Sequence, residues 1–156
     1  IDQESMSKLR TTFKKDGTVT AGNASGINDG AASVIVASEK AVKEQELSPI
    51  ARIVSWGIVG VDPSIMGIGP APAIKLALER AKLTLDDMEL IEVNEAFAQV
   101  PLVWLKEVGA EYEKLNVDGG AIALGHPLGA TGTKLLVTLL HRLDRKNERF
   151  GLLTIC

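Results

Sequence analysis

The chain has 156 residues, 46% of them hydrophobic and 24% charged, which describes one ordinary globular domain with a core of its own. Its net charge of −3 offers no electrostatic basis for nucleic acid, and its apolar stretches fall far short of a membrane span, so neither partner is expected. Aromatic residues make up only 4%, so the core must be built from Ala, Val, Ile and Leu.

Residues 1–17 are polar, with Met6, Leu9 and Phe13 at roughly helical spacing. From Gly22 to Gly30 come three glycines and two asparagines in nine residues, a loop of tight backbone turns, because Gly and Asn tolerate positive φ. Ala31–Ala37 predicts a short buried strand, β-branched in its middle. Ser38 then caps a helix over 39–46, with Pro49 beyond its end. A second strand is predicted over 51–60, bent at Gly57, followed by a glycine- and proline-rich loop to Gly69. Pro70 opens a helix in which Ile74, Leu78 and Ala81 share a face, and Thr84 with Asp87 resembles a capping box. A third strand is predicted over 89–93 and a helix over 96–108. After a glycine-rich stretch from Gly119 to Gly129, the stripe Leu136, Leu139, Leu140 and Leu143 marks the most regular helix. A last strand is expected to end on Cys156. Strands alternating with helices give an α/β layered domain.

Few side chains are reactive. Cys156 is the only thiol; it cannot form an internal disulfide, which agrees with a reducing compartment, and no signal peptide is visible. At the end of a buried strand, its position alone favours an inert core thiol. His126 lies between Gly125 and Pro127, where backbone can approach a ligand closely and an imidazole suits proton transfer; an ordinary turn histidine fits the spacing equally well. His141 sits among Arg142, Arg145 and Lys146 and reads as part of a solvated face. Asn94 follows a strand directly, where α/β sites collect, yet an Asn there is more often a helix N-cap. The glycine segments match neither a dinucleotide-binding fingerprint nor a P-loop, although Gly129-Ala-Thr-Gly-Thr-Lys134 before a helix suits a phosphate.

Taken together the motifs are specific. Asn23-Ala-Ser-Gly-Ile-Asn-Asp-Gly30, Asn94-Glu-Ala-Phe97, the run from Asn116 through Gly-His126-Pro to Gly132, and Cys156 strongly resemble the thiolase family, in order from about Thr18 to Cys156. Within it, Ile53-Val-Ser-Trp56, Asp62–Pro70 and Val137-Thr-Leu-Leu-His141 look more like acetoacetyl-CoA thiolases than the long-chain enzymes.

The resemblance implies a layered α/β thiolase fold, here mainly its C-terminal domain, with a mixed sheet between helices. Residues 1–17 would end the preceding region or a linker, and 18–156 would form the domain. It implies an acyltransferase that condenses acetyl-CoA to acetoacetyl-CoA, or cleaves 3-ketoacyl-CoA by thiolysis. Cys156 matches the second family cysteine, which shuttles the proton at the α-carbon. His126 matches the histidine that activates the nucleophile and lines an oxyanion hole, and Asn94 the residue that holds a water there. Ser25 matches a contact to the pantetheine amide, with Ala21 beside that path. Met66, Ala96 and Phe97 match the apolar lining of the pantetheine tunnel, although loop packing accounts for Met66 and core packing for Phe97 as well. No permanently bound cofactor or metal is implied; coenzyme A and acyl-CoA enter as substrates.

Two departures accompany the match: the nucleophilic first cysteine has no counterpart, and the glycine-rich turn after the second is missing. Ile1 at the start and the apolar run at the end suggest a piece of something longer, partnered by an N-terminal thiolase half and homodimeric or homotetrameric in the full enzyme. The fragment alone is expected to be inactive. The cytoplasm is the expected compartment, the mitochondrion or peroxisome the alternatives. A decarboxylating ketoacyl synthase of the same fold is disfavoured by Cys156; a non-catalytic acyl-CoA or lipid-binding domain is the alternative of another class.

Overall fold

The computed structural model describes residues 1–156. Its helices are α1 (Gln3–Ser7), α2 (Glu39–Glu44), α3 (Pro70–Ala81), α4 (Gln99–Val108), α5 (Ala121–Leu124) and α6 (Thr131–Lys146), with 3₁₀ turns at Pro63–Ile68 and Tyr112–Lys114. The strands are β1 (Leu90–Val93) and β2 (Gly151–Thr154).

The two strands pair in parallel, with Ile91 opposite Leu152 and Val93 opposite Thr154. A parallel pair needs a long crossover, supplied here by α4, α5 and α6. Alternation along β1 sends Ile91 and Val93 to one face, where they form a core with Ala71 and Ile74 of α3, Val100 and Trp104 of α4, Met88 and Leu152. Leu90 and Glu92 take the opposite face, beneath α6. There Gly151 lies so close that a β-carbon would meet Leu139 and Leu143. All four residues of β1 are buried, the pattern of a strand covered on both sides.

Local chemistry sets the helix ends. Pro70 occupies the first turn of α3, where its missing N–H costs nothing. The Ser38 side chain caps α2 by accepting from the Ala41 N–H. The buried stripe of α6 is Thr131, Leu135 and Leu139, at spacing four, while Leu136 and Leu140 are only partly covered. The predicted stripe therefore holds at Leu139, while its other members, Leu136, Leu140 and Leu143, flank the buried row.

Other expectations change. The α/β layering stands, but within this chain the sheet is the parallel pair alone. Residues 31–37 and 51–60 are not laddered, because no strand of the chain lies beside them; Ile35 is 94% and Ile58 86% exposed. The second segment runs along α3 instead: the Ser55 hydroxyl donates to the Ala77 carbonyl (2.6 Å) and Arg80 to the Trp56 carbonyl (2.7 Å). Thr84 and Asp87 make a turn with no helix after it, the Asp87 carboxylate accepting from the Thr84 N–H and hydroxyl. The last strand stops at Thr154, two residues before Cys156. The helix predicted over 96–108 begins only at Gln99, because Ala96–Ala98 pair with the loop after Thr20. Ser25 donates its N–H to the Ala96 carbonyl (3.0 Å), and Ala98 donates to Asn23 (2.9 Å).

Candidate active site

Parallel strands gather functional groups at their carboxyl ends. The Asn94 N–H continues the ladder by donating to the Thr154 carbonyl (3.0 Å), so Asn94 and Cys156 leave the sheet at the same end. Beside this end Asn116 imitates a neighbouring strand. Its side chain accepts from the Val93 N–H and donates to the Val93 carbonyl, both at 2.9 Å, and its own N–H reaches the Ile91 carbonyl. Asn116 has a φ of 45°, a conformation asparagine tolerates better than most residues.

Glu95 carries the order outward. Its carboxylate accepts from the Asn116 amide (3.0 Å) and from the Ile122 N–H in the first turn of α5 (3.2 Å). A β-carbon at Gly120 would overlap that carboxyl, so any larger residue there would push the Glu95 carboxylate off these partners. After α5 the chain turns through Gly125 at φ +89°, and Lys134 of α6 donates to the Gly125 carbonyl (2.8 Å). His126 follows, its N–H donating to the Gly26 carbonyl (3.2 Å) in a parallel bridge with the Asn23–Gly30 loop.

The His126 ring lies between two buried polar groups. Nε2 is 3.2 Å from the Asn94 amide nitrogen, and Nδ1 is 2.7 Å from the Thr131 hydroxyl. Asn94 and Thr131 are each 1% exposed. Burial, then the positive charge of Lys134, lowers the His126 pKa, which favours a neutral imidazole at pH 7. The Asn94 side-chain oxygen is buried and has no protein partner.

Cys156 stands apart from this line, with no hydrogen bond to His126 or Asn94. The residue is exposed rather than a core thiol, yet partial enclosure of the sulfur pushes its thiol up. It lines a cavity of about 490 Å³ together with Met66, Ile58, Val59, Val61 and Ala73. Met66, assigned by resemblance to a ligand tunnel, therefore shares a cavity with Cys156. Ser25, Ala96 and Phe97 form a second group: the Ser25 hydroxyl donates to the Ala96 carbonyl (3.1 Å), and Phe97 meets Phe13 edge-on at 5.8 Å while packing on the core. Ala21 is exposed in the turn just before them. No three His, Cys, Asp or Glu side chains gather as metal ligands, and no helix is long and apolar enough to cross a membrane.

Residues 47–156 match the thiolase C-terminal domain, and residues 1–40 match the thiolase N-terminal domain. The chain belongs to the thiolase family. It is 53% identical over 155 residues to the cytosolic acetyl-CoA acetyltransferase of Mus musculus, covering 98% of this chain and 39% of that protein. It superposes on the Bacillus anthracis acetyl-CoA acetyltransferase with a TM-score of 0.94 at 49% identity, covering all of this chain and 40% of that one. The human mitochondrial 3-ketoacyl-CoA thiolase solved in complex with CoA gives a TM-score of 0.89 at 47% identity, again over 40% of its length. The described residues thus span about two fifths of these thiolases.

Four residues near this strand end have surroundings that the sequence does not assign. Thr131 and Lys134 read there only as part of a helix start suited to a phosphate, and Glu95 only as the neighbour of Asn94 at the strand end. Glu92 is the fourth: burial, then the charges of Asp118 and Glu95, push its carboxyl up to about 7, and one of its oxygens is buried without a partner. An acid inside the apolar run Leu90-Ile-Glu-Val93 was the available signal for it.

Proposed function

We propose that this chain carries the histidine, asparagine and second-cysteine part of a thiolase active site. The protein would be an acyl-CoA:acetyl-CoA C-acyltransferase working on acetoacetyl-CoA or 3-ketoacyl-CoA. The observation that carries the reading is the contact of buried Asn94 with half-buried His126 at the carboxyl end of β1, the Asn94 side-chain oxygen being buried without a partner. An amide that is buried, neutral and missing one partner is suited to fix a water beside an imidazole. Water and imidazolium together then supply two donors to an enolate oxygen as charge develops there.

Each residue has a distinct task. In thiolysis, the nucleophile's sulfur bonds to the 3-keto carbon of the 3-ketoacyl-CoA. The carbon–carbon bond breaks to leave an acyl thioester, and its electron pair passes to the enolate of acetyl-CoA. The Cys156 thiol gives that carbon a proton and becomes a thiolate. In condensation the same thiolate removes the α-proton, and the enolate attacks an acyl thioester, releasing the nucleophile's sulfur. The raised pKa of Cys156 makes the thiol its resting form, which suits entry in the thiolysis direction. The CoA complex of the related human enzyme supports coenzyme A as the substrate carrier, with Ser25, Ala21, Ala96, Phe97 and Met66 as its contacts. Relatives named for the cytosol and for the mitochondrion leave both compartments compatible with this function.

Cys156 is the sole cysteine among these residues, and we infer that the acyl-bearing nucleophile belongs to the N-terminal thiolase half. A non-catalytic acyl-CoA-binding role is the second reading, favoured by that single, proton-retaining thiol. Deuterium exchange at the acetyl-CoA methyl separates them. With the N-terminal half present, exchange should occur and Cys156→Ser should abolish it while leaving acylation intact. Undiminished exchange in that variant would remove Cys156 from its role.

A further inference from the structure

Asn94, His126 and Thr131 lie in one hydrogen-bonded line, and its ends determine which ring nitrogen carries the proton. We propose that Thr131 is a positioning residue that holds neutral His126 in the Nδ1–H form, leaving the Nε2 lone pair toward Asn94 and the site. The proposal rests on the acyl-transfer reading only for its consequence, not for its geometry.

Thr131 opens α6 and is 1% exposed. Its hydroxyl is 2.9 Å from the Pro127 carbonyl, four residues back, and 2.7 Å from His126 Nδ1. A hydroxyl has one proton to give, and helical threonines commonly give it to the carbonyl a turn earlier. With its proton on Pro127, Thr131 presents lone pairs to Nδ1, and Nδ1 must then be the donor. The opposite end reaches the same answer by a separate route. The Asn94 amide nitrogen, 3.2 Å from Nε2, only donates, so Nε2 must accept. A neutral ring with one proton meets both conditions only as Nδ1–H.

The competing arrangement reverses every bond: Thr131 donates to Nδ1, and Nε2–H donates to a rotated Asn94 amide. The Pro127 carbonyl gives it some footing, since it already accepts from the Ala130 and Thr131 N–H groups at 2.7 and 2.8 Å. Its cost lies at Asn94. Rotation would leave an amide NH₂ as the buried orphan in place of a carbonyl oxygen, and orphaned buried donors are the rarer of the two.

The consequence is an order of events on one nitrogen. Nε2 enters the reaction as a base, takes the proton of a neighbouring thiol, and only then has an N–H to offer a developing oxyanion. A resting Nε2–H form could offer the N–H but could not take the proton.

The tautomer is read without turnover, so it can fail while the acyl-transfer reading survives, and the reverse. The chain holds two histidines, His126 and His141, so ¹⁵N-histidine labelling gives two ring systems. Magic-angle-spinning NMR, which needs no monomer, distinguishes protonated from bare ring nitrogens. Above its titration, His126 should show a protonated Nδ1 in contact with the Thr131 side chain and a bare Nε2. Asn94→Ala removes the second constraint and should leave the proton on Nδ1, held by Thr131 alone. Adding Thr131→Val, which keeps the shape and removes the hydroxyl, should release it to Nε2, while Thr131→Ser should keep it on Nδ1. A wild-type ring protonated at Nε2 overturns the proposal, as does a double-variant ring that stays Nδ1–H. Should the valine variant not fold, the wild-type ring still decides: a Nδ1 proton without proximity to Thr131 is equally contrary.

Discussion

Residues 1–69 and residues 70–156 contain similar β-branched runs, yet one region buries them and the other does not. No residue before Pro70 is buried, whereas all four residues of β1 are. Val34, Ile35 and Val36 have as much strand propensity as Ile91 and Val93. What separates them is a partner: β1 has β2 on its edge and helices on both faces, and residues 31–37 have neither. Propensity makes a segment extended; only an adjacent strand and a covering layer make it a strand with stability. The functional line of Asn94, His126 and Thr131 sits wholly in the partnered region, with only the Asn23–Gly30 loop reaching in from the other.

That contrast can be broken most severely at Trp104. It is 1% exposed at the centre of the core between α4 and β1, and Trp104→Ala should cost about 3–5 kcal/mol, enough to abolish a cooperative urea transition in a marginal chain. A transition that persisted unshifted would mean that the partnered region is not the stable one.

Glu92 offers the next largest effect. Its folded pKa of about 7 lies above its ordinary 4.5, so the native state binds the extra proton between those values. Stability should therefore be full below about pH 4.5 and fall as pH rises toward 7, by on the order of 2–3 kcal/mol. Glu92→Gln keeps the shape without the charge and should flatten this loss, matching wild type at acid pH and exceeding it at pH 8. Equal stability of the two proteins at pH 8 would place Glu92 in contact with solvent or a cation.

The smallest effect belongs to the open region. Ile35→Thr removes an apolar side chain that is 94% exposed, so the chain alone should change by less than about 0.5 kcal/mol. Any association of the chain through this exposed run, followed by sedimentation, should nevertheless weaken. A large stability loss on substitution would show that residues 31–37 are covered after all.

Much of the secondary structure was legible because its signals are local. Ser38 at a helix start, Pro70 opening α3 and the apolar run at 89–93 each point to one element by short-range chemistry. The motifs around Asn94, His126 and Cys156 were legible as a set, although position alone left each of them open. What escaped depends on distant contacts. Ala96–Ala98 have helical neighbours but are held out of the helix by hydrogen bonds to Asn23 and Ser25, more than seventy residues earlier. Asn116 beside Val93, Glu95 beneath Gly120 and Thr131 against His126 are pairings that no periodicity encodes. The strand at 31–37 was misread because its pattern describes burial that nothing in this chain supplies.

The central claim is that these residues hold one preorganised part of a thiolase site that cannot turn over by itself. Thiolysis of acetoacetyl-CoA, followed by loss of its enolate absorbance, tests this directly. The chain alone should give no thiolysis, and adding a separately made N-terminal thiolase half with the glycine-rich tail should restore it, with Asn94→Ala lowering the restored turnover by about 100- to 1,000-fold. Turnover by the chain alone, or a complemented enzyme indifferent to Asn94→Ala, would contradict the account.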